Sequence, residues 1–304
     1  MQIPDLLIER TTLLKKVAFW KIVTLFVIAG LLFFIYSYNT KTNPSKAKLT
    51  EYIGLIRIEN EISENPKFEK FLDEIAEDKA VKGLIVQIDS QGGNSGTSEK
   101  IYNKLLKIKK STPVVATIGS MGASGAYLIA LASERIYALN MSLTGSIGVI
   151  IQIPDLTVLS EKIGVNLRNY KSSLLKGSPN PLEKSSPEVD AALMNVVNDS
   201  YDYFVDLVAK NRNMTRSEAK KIADGRIYSG RQALELKLID EIGGPEEAAE
   251  WLKANKNLNQ NLLIQEIEPK KRNELFEMFI NKMDETSKIF VKNLFSSKLM
   301  SVYR

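Results

Sequence analysis

Histidine and cysteine are both absent from the 304 residues of this chain. Their absence excludes a Ser-His-Asp triad, a cysteine nucleophile, disulfide bonds and any metal site built on histidine or cysteine ligands. A serine nucleophile here can pass its proton only to a lysine, a tyrosine or a carboxylate, and activation by a neutral lysine is a known route. The lack of cysteine fits either side of a bacterial inner membrane, so it leaves the compartment open.

Positive charge is in small excess and is concentrated at one end of the chain. The net charge is +5, from 41 Lys and Arg against 36 Asp and Glu. Residues 270–304 alone carry eight basic and four acidic side chains. The central part of the chain is therefore close to neutral, whereas a protein that binds nucleic acid has a basic patch around its site. We expect no nucleic-acid partner.

One strongly apolar run without charge lies near the N-terminus. Residues 22–38 carry no charged side chain and would reach about 25 Å as a helix, at the short end of what spans a bilayer. We predict a tail at 1–18, a transmembrane anchor at 19–38 and a polar linker at 39–50. A cleaved signal peptide is the alternative, although its apolar region is usually shorter. Four basic residues precede the run and three follow it closely. This small bias in positive charge weakly favours a cytoplasmic N-terminus.

The rest of the chain alternates between short apolar segments and amphipathic ones, which predicts an α/β domain over residues 51–258. Strands are predicted at 52–58, 83–89, 113–119, 135–139, 147–151 and 165–170. Helices are predicted at 66–78, 95–110, 122–132, 156–163, 187–212, 217–223 and 231–236. We predict a C-terminal extension at 259–304. The spacing of its apolar residues from Asn273 onward predicts a basic amphipathic helix. Such a helix suits subunit packing and contact with a membrane surface equally well.

Three segments at the ends of predicted strands contain small or polar residues, where a backbone can approach a substrate. In Asp89-Ser90-Gln91-Gly92-Gly93-Asn94 the paired glycines allow a tight turn. The amide of Gly93 can then stabilise an oxyanion, and a plain strand-to-helix turn is the alternative. Ser124 lies at a predicted helix start among small residues, which exposes its hydroxyl, although close helix packing explains the same composition. Segment 143–149 has hydroxyls that can orient an amine, and a turn is its default interpretation.

Lys176 is the candidate base for Ser124. A free lysine titrates near 10.4, so a lysine base needs burial among apolar groups and no carboxylate partner. Two leucines precede Lys176, and no acidic residue occurs between positions 170 and 180. For a lysine taken at random, a solvated surface charge is the better interpretation.

Taken together, these segments resemble the signal peptide peptidase A family of serine-lysine proteases, in its short form with one catalytic domain. The similarity runs from about residue 52 to residue 250, and the order and spacing of the segments agree throughout. The segments that carry it are Asp89-Ser90-Gln91-Gly92-Gly93, Ser98-Glu99-Lys100-Ile101-Tyr102, Met121-Gly122-Ala123-Ser124-Gly125-Ala126-Tyr127, Thr144-Gly145-Ser146-Ile147-Gly148-Val149, residues 171–181 and residues 222–233.

The resemblance implies a role for each candidate residue. Ser124 would be the nucleophile and Lys176 the general base, while Gly93 would supply an oxyanion amide and Ser146 a hydroxyl that positions the lysine. The implied fold is the Clp protease/crotonase-like fold of repeated ββα units, preceded by one N-terminal transmembrane helix. The short members assemble as rings in which neighbouring subunits share each site, which would explain why Lys176 is distant from Ser124 in sequence.

Four positions depart from the family pattern. Gln91 stands where the family usually has proline, Ser173 and Ala126 where glycine is common, and Gly177 where aspartate is frequent. None of these changes removes a reactive group. Because two of them flank Lys176, Lys171 remains a second candidate base.

The sequence thus predicts a membrane-anchored serine endopeptidase that needs no cofactor. The resemblance implies that it degrades residual signal peptides and other peptides after small or apolar residues. The resemblance implies a single-pass protein of the inner membrane, with a cytoplasmic N-terminus and a catalytic domain on the periplasmic side. One alternative is an acyl-CoA enzyme of the crotonase type, which is disfavoured because no glutamate lies close in sequence to Gly93 or Ser124. The other is a non-catalytic membrane scaffold that keeps the ring.

Overall fold

The structure is a computed structural model that describes residues 51–269, together with residues 16–30 except 18, 25, 28 and 29. The chain divides into two units, Met1–Thr50 and Glu51–Arg304. The described residues of the first unit are helical. In the part of the chain that the structure describes, no helix has the length and apolar character needed to cross a bilayer. Much of the anchor predicted at 19–38 lies outside the described residues, and so does the amphipathic helix predicted from Asn273.

The second unit alternates strands with helices. Its strands are β1 (Tyr52–Ile62), β2 (Val81–Gly93), β3 (Val114–Ala123), β4 (Arg135–Ala138), β5 (Leu143–Gly145), β6 (Ile227–Ser229), β7 (Glu241–Ile242) and β8 (Ile264–Glu266). Its helices are α1 (Pro66–Glu77), α2 (Ser95–Lys109), α3 (Gly125–Ala130), α4 (Thr157–Lys162), α5 (Pro187–Asn211), α6 (Arg216–Lys221), α7 (Gly230–Glu235) and α8 (Pro245–Asn255). The predicted α/β class is confirmed, while the more specific ββα repeat stays a prediction.

Within residues 51–269 the eight strands form one sheet. Its order is β6-β5-β3-β2-β1-β8, with β4 between β3 and β7. Among these strands only β5 and β6 pair in antiparallel fashion. β3 changes partner along its length, because residues 115–118 pair with β4 and residues 121–123 pair with β5. The carboxyl ends of β2, β3 and β5 consequently lie side by side, at the edge where parallel sheets bind ligands.

The sheet is buried on both faces, which explains the almost continuous apolar runs of its central strands. Side chains of β2 alternate between two cores because successive residues of a strand point to opposite faces. Leu84, Val86 and Ile88 enter the larger core, which α1, α2 and α3 cover. Ile85 enters a smaller core beside Leu252 of α8. Two layers of helices thus hold β2 and its carboxyl end in place.

Two short features fix the backbone on either side of the carboxyl edge. Asn94 caps α2 by accepting a hydrogen bond from the Thr97 N–H at 2.9 Å, so the helix begins directly after the glycine turn. All six residues of α3 are buried. The Tyr127 hydroxyl of this helix donates to the Leu238 carbonyl at 2.7 Å. Burial raises the pKa of that hydroxyl, so it stays a neutral donor.

Two predicted strands are wrong. Residues 147–151 and 165–170 have no regular secondary structure. Their apolar composition produced the prediction, but Ile150 is 77% exposed and Tyr170 is 95% exposed. Ile147 is buried in the main core, but most other side chains of these runs are exposed. Strand preference depends on packing against neighbouring strands, and no strand of the described residues pairs with these runs.

The helix predicted at 122–132 is shorter than expected, since β3 continues to Ala123 and α3 begins only after Ser124. The very short strands β5, β6, β7 and β8 were not predicted from the sequence, and neither was α8. β8 lies beyond residue 258, the predicted end of the peptidase domain, and pairs in parallel with β1.

Candidate active site

Three of the predicted site residues border a single cavity. Gly93 ends β2, Ser124 follows β3 and Ser146 follows β5. All three line a cavity of about 860 Å³. They are remote in sequence, and the parallel sheet brings them together because it aligns the carboxyl ends of neighbouring strands. Their chemical roles stay predictions.

Ser124 has a backbone conformation that side-chain-bearing residues rarely adopt. Its φ is 54° and its ψ is −125°. Its N–H donates to the Gly145 carbonyl at 2.9 Å, and its carbonyl accepts from the Leu128 N–H at 3.0 Å. The hydroxyl does not cap α3, although Ser124 stands at the cap position. A strained backbone held by its neighbours, with a half-buried hydroxyl left for other use, is typical of a functional residue.

The Gly92-Gly93 turn packs directly against Ser124. The φ angles are 105° at Gly92 and 152° at Gly93, in the region that favours glycine. A Cβ on Gly92 would lie 2.8 Å from the Cβ of Ser124, so a side chain cannot fit there. The amide nitrogen of Gly93 is 3.6 Å from the point that a Cβ of Gly125 would occupy. This amide therefore lies beside the residue that follows the candidate nucleophile.

Ser146 lies on the other side of Ser124, with φ at 49°. Its N–H donates to the Arg226 carbonyl at 2.8 Å. Two residues earlier, in β5, the buried hydroxyl of Thr144 donates to the Gly122 carbonyl at 2.7 Å. These bonds tie β5 to β3 and to the segment before β6, so they fix where the Ser146 side chain borders the cavity.

Helix α5 supplies the opposite wall of the cavity, a contribution that was not predicted from the sequence. Tyr201, Tyr203 and Phe204 are among the residues that line it. No local pattern reveals this wall, because α5 is far from Ser124 in sequence and reaches the cavity only through the fold.

The charged residues that line the cavity within the described ranges are all acidic, namely Glu99, Asp199 and Asp224. Glu99 shows that a glutamate does border the site, contrary to the impression from sequence. Burial, together with a 3.1 Å hydrogen bond to Glu99, raises the pKa of Tyr203. Arg226 binds Asp224 and lowers the pKa of that carboxyl. In the part of the chain that the structure describes, no group of three or more acidic residues is placed to hold a metal ion.

Lys176 does not border this cavity. It lies in an exposed turn, where its N–H donates to the Ser173 carbonyl at 3.2 Å. The two leucines that precede it, Leu174 and Leu175, are 57% and 49% exposed. Within one chain the structure therefore does not bring Lys176 to Ser124, nor does it form the apolar surroundings that a lysine base needs.

Lys171, the second candidate base, is engaged elsewhere. Its Nζ forms an ion pair with Glu183 and donates to the Ser178 hydroxyl at 3.1 Å. Hydrogen bonds from Lys171 and Asn169 lower the pKa of the Glu183 carboxyl. Lys171 is therefore engaged with partners outside the cavity that Ser124 borders.

The stretch from residue 150 to residue 175 exposes an unusual number of apolar side chains. Ile150, Val158, Ile163 and Tyr170 are each more than half exposed. Lys176 follows directly after this stretch. Large apolar patches on a soluble domain usually mark a surface that another molecule covers.

The chain is similar to known peptidases. A model of the family described as "Peptidase family S49" matches residues 106–259. A putative signal peptide peptidase SppA from Enterococcus faecium is 42% identical over 195 residues, which cover 64% of this chain and 57% of that protein. A putative protease from Synechocystis sp. is 41% identical over 175 residues, which cover 58% of this chain and 63% of that protein. The chain thus matches less than two thirds of the length of each relative.

Among solved structures, a ClpP1 mutant from Listeria monocytogenes aligns with a TM-score of 0.41 and 14% identity, over 64% of this chain and 92% of that chain. The match to the family model covers about half of the chain and includes Ser124, Ser146 and Lys176. The resemblance to signal peptide peptidase A is confirmed, while the residue roles that it implies stay predictions. The chain belongs to peptidase family S49, the signal peptide peptidase A family.

Proposed function

We propose that this protein is a serine endopeptidase that hydrolyses peptides through an acyl-enzyme, with Ser124 as the nucleophile. The observation that carries the proposal is that the Gly92-Gly93 turn packs against Ser124, and that Gly93 and Ser124 line the same cavity. The chain also belongs to a peptidase family. The proposed substrates are residual signal peptides and other peptides, cut after small or apolar residues. The name of the relative from Enterococcus faecium, a putative signal peptide peptidase, supports this substrate class.

The proposed reaction has two stages. In the first, the Ser124 Oγ attacks the peptide carbonyl carbon, its proton passes to the neutral Nζ of Lys176, and the Gly93 N–H donates to the oxyanion. The tetrahedral intermediate then expels the amine, which takes the proton from Lys176. In the second stage Lys176 accepts a proton from water as the water attacks the ester, and it returns this proton to Ser124 as the acid leaves. The Ser146 hydroxyl would accept a hydrogen bond from Nζ and so orient the lysine.

We propose that Lys176 reaches the site from a second copy of the chain. Two observations support this: Lys176 lies outside the cavity of its own chain, and the stretch that precedes it exposes apolar side chains that a second copy would cover. A contact in which one face of a subunit meets a different face of the next generates a ring when the rotation closes. The proposed assembly is a ring of Clp-type subunits built from ββα units, with each site shared between neighbours.

The membrane topology is a further part of the proposal. The uncharged run at 22–38 supports a single anchor at 19–38 in the inner membrane, with a cytoplasmic N-terminus and a periplasmic catalytic domain. Anchored there, the enzyme would meet its signal peptide substrates in the same membrane.

A fluorophosphonate probe tests the nucleophile. We expect the purified chain to gain the mass of one phosphonyl group, and peptide mapping to place that group on Ser124. Ser120 is exposed and lies in the same run of small residues, so it serves as an internal control for unselective labelling. An unlabelled Ser124 in a correctly assembled protein would contradict the proposal and favour the non-catalytic scaffold.

Mixed rings test the shared site. Ser124→Ala and Lys176→Ala subunits are each expected to be inactive alone. When the two are co-expressed and mix at random, about a quarter of the sites combine an intact serine with an intact lysine from its neighbour. Hydrolysis by rings purified through two different affinity tags should therefore reach about a quarter of the wild-type rate. Mixed rings with no activity would mean that the serine and its base come from the same chain.

A further inference from the structure

The carboxyl end of β2 is the place where this strand loses its register with both neighbours. On one side Glu59 faces Asp89 but Glu61 faces Gly92, so β2 has one more residue than β1. On the other side Ile88 faces Ile118 but Ser90 faces Gly122, so β3 has the additional residues. Irregularities of this kind interrupt the ladder of hydrogen bonds and re-aim the chain. Backbone groups at both breaks need other partners.

Asp89 supplies those partners on the side of β3. Its carboxylate accepts hydrogen bonds from the N–H groups of Ser120 and Met121, both at 3.2 Å. These two residues belong to the part of β3 that has no partner in β2. A Cβ on Gly119 would lie 2.6 Å from the Asp89 Oδ2, so glycine at 119 permits this close approach. The carboxylate thus links β2, which ends at Gly93, to β3, which leads into Ser124.

Ser90 supplies the partners on the side of β1. Its side chain is buried, at 2% exposure. The hydroxyl donates to the carbonyl of Asn60 and accepts from the Gly92 N–H at 3.1 Å. Asn60 lies within the break of β1 and has φ at 63°. One hydroxyl therefore joins the irregular part of β1 to the first glycine of the oxyanion turn.

We propose that Asp89 and Ser90 are positioning residues that set the distance between the Gly93 amide and the Ser124 hydroxyl, an inference that rests on the proposed function. Neither residue lines the catalytic cavity, so neither acts on the substrate directly. They act through the glycine turn, because Ser90 holds Gly92 and Gly92 packs on the Cβ of Ser124. Asp89 holds the strand that leads into Ser124. Oxyanion donors stabilise a transition state only when they are fixed close to hydrogen-bond distance, so a loosened turn costs rate rather than substrate affinity.

Ser90→Ala tests this role, with Ser142→Ala as the matched control. Ser142 is likewise 2% exposed, donates to β3 carbonyls, with Gly119 O at 2.5 Å and Ile118 O at 3.1 Å, and accepts from the Leu139 N–H at 2.8 Å. The two variants lose the same kinds of buried hydrogen bond, so we expect similar falls in melting temperature. Only Ser90→Ala removes a bond to the oxyanion turn.

The readout is the affinity for a peptide aldehyde relative to the alcohol of the same peptide. Ser124 adds to the aldehyde carbon to form a hemiacetal whose oxygen occupies the oxyanion site, whereas the alcohol cannot form this bond. Ser90→Ala should lower both the aldehyde-to-alcohol preference and kcat by about 10- to 100-fold, with the alcohol affinity and the pH profile unchanged. Asp89→Asn, which keeps one acceptor oxygen, should give a smaller fall of the same kind.

Two results would overturn the inference. One is a Ser90→Ala enzyme with the wild-type aldehyde preference and kcat, and the other is an equal loss in Ser142→Ala. In both cases, hydrolysis of peptides by the wild-type enzyme would still support the proposed function. A wild-type protein that neither hydrolyses peptides nor prefers the aldehyde would overturn the proposed function and this inference together.

Discussion

Ser124→Ala is expected to lower peptide hydrolysis by at least about 10,000-fold without impairing folding. The variant keeps the oxyanion turn and the cavity but lacks the atom that forms the acyl-enzyme, so only direct attack by water remains. The hydroxyl does not cap α3, and its loss should change the free energy of unfolding by less than about 0.5 kcal/mol. The measurements are cleavage of an internally quenched peptide and thermal unfolding followed by circular dichroism.

Ser200→Ala is the control for this prediction. Ser200 lines the same cavity from α5, on the wall opposite Ser124. Its loss should leave the hydrolysis rate within a factor of a few of wild type. A Ser124→Ala protein that still cleaves the peptide at a comparable rate would remove Ser124 from the mechanism, and equal losses in both variants would point to a general change of the cavity.

Lys176→Met is expected to lower kcat/KM by about 100- to 10,000-fold, the range typical of a lost general base. A lysine accepts a proton only in its neutral form, so the wild-type rate should rise with pH and level off above the pKa of the base. The variant should lose this rising limb as well as the rate. Methionine keeps the length and apolar character of the side chain, and the exposed turn around Lys176 should tolerate it.

Lys171→Met separates the two candidate bases. This change breaks the ion pair with Glu183 and the bond to Ser178, two residues beyond Lys176, so a fall of less than about 10-fold is expected from a loosened turn. The rising limb of the pH profile should survive. If the limb disappears in Lys171→Met and persists in Lys176→Met, the assignment of the base has to be exchanged.

The core of the site was predictable because its signals are local. The paired glycines at 92 and 93 and the small residues around Ser124 each lie within a few positions of a strand end. Alternating strands and helices predicted a parallel sheet, and such a sheet aligns those strand ends whatever their separation in sequence. The boundary between β3 and α3 was less well predicted, because the small residues around Ser124 are compatible with the end of a strand as well as with the start of a helix.

The other features of the fold and the site depend on contacts between elements that are distant in sequence, which no local pattern predicts. Residues 147–151 and 165–170 are apolar enough for strands. An apolar composition indicates only that a segment favours burial, not what buries it, and no strand of the described residues pairs with these runs. The cavity wall on α5 and the bonds of Asp89 and Ser90 arise from contacts between distant elements. β5 escaped prediction because three residues are too few for an alternating pattern.

In the proposed mechanism, the left-handed backbone at Ser124 and Ser146 sets the catalytic role of these residues against the stability of the fold. Each residue has a φ angle that glycine adopts freely, and holding a side chain there costs on the order of 1–3 kcal/mol. Glycine at either position would relieve the strain but would also delete the hydroxyl. The two serines are thus a trade-off of the kind seen at many active sites, where the most stable sequence and the functional one differ. Selection for stability alone would replace both serines by glycine.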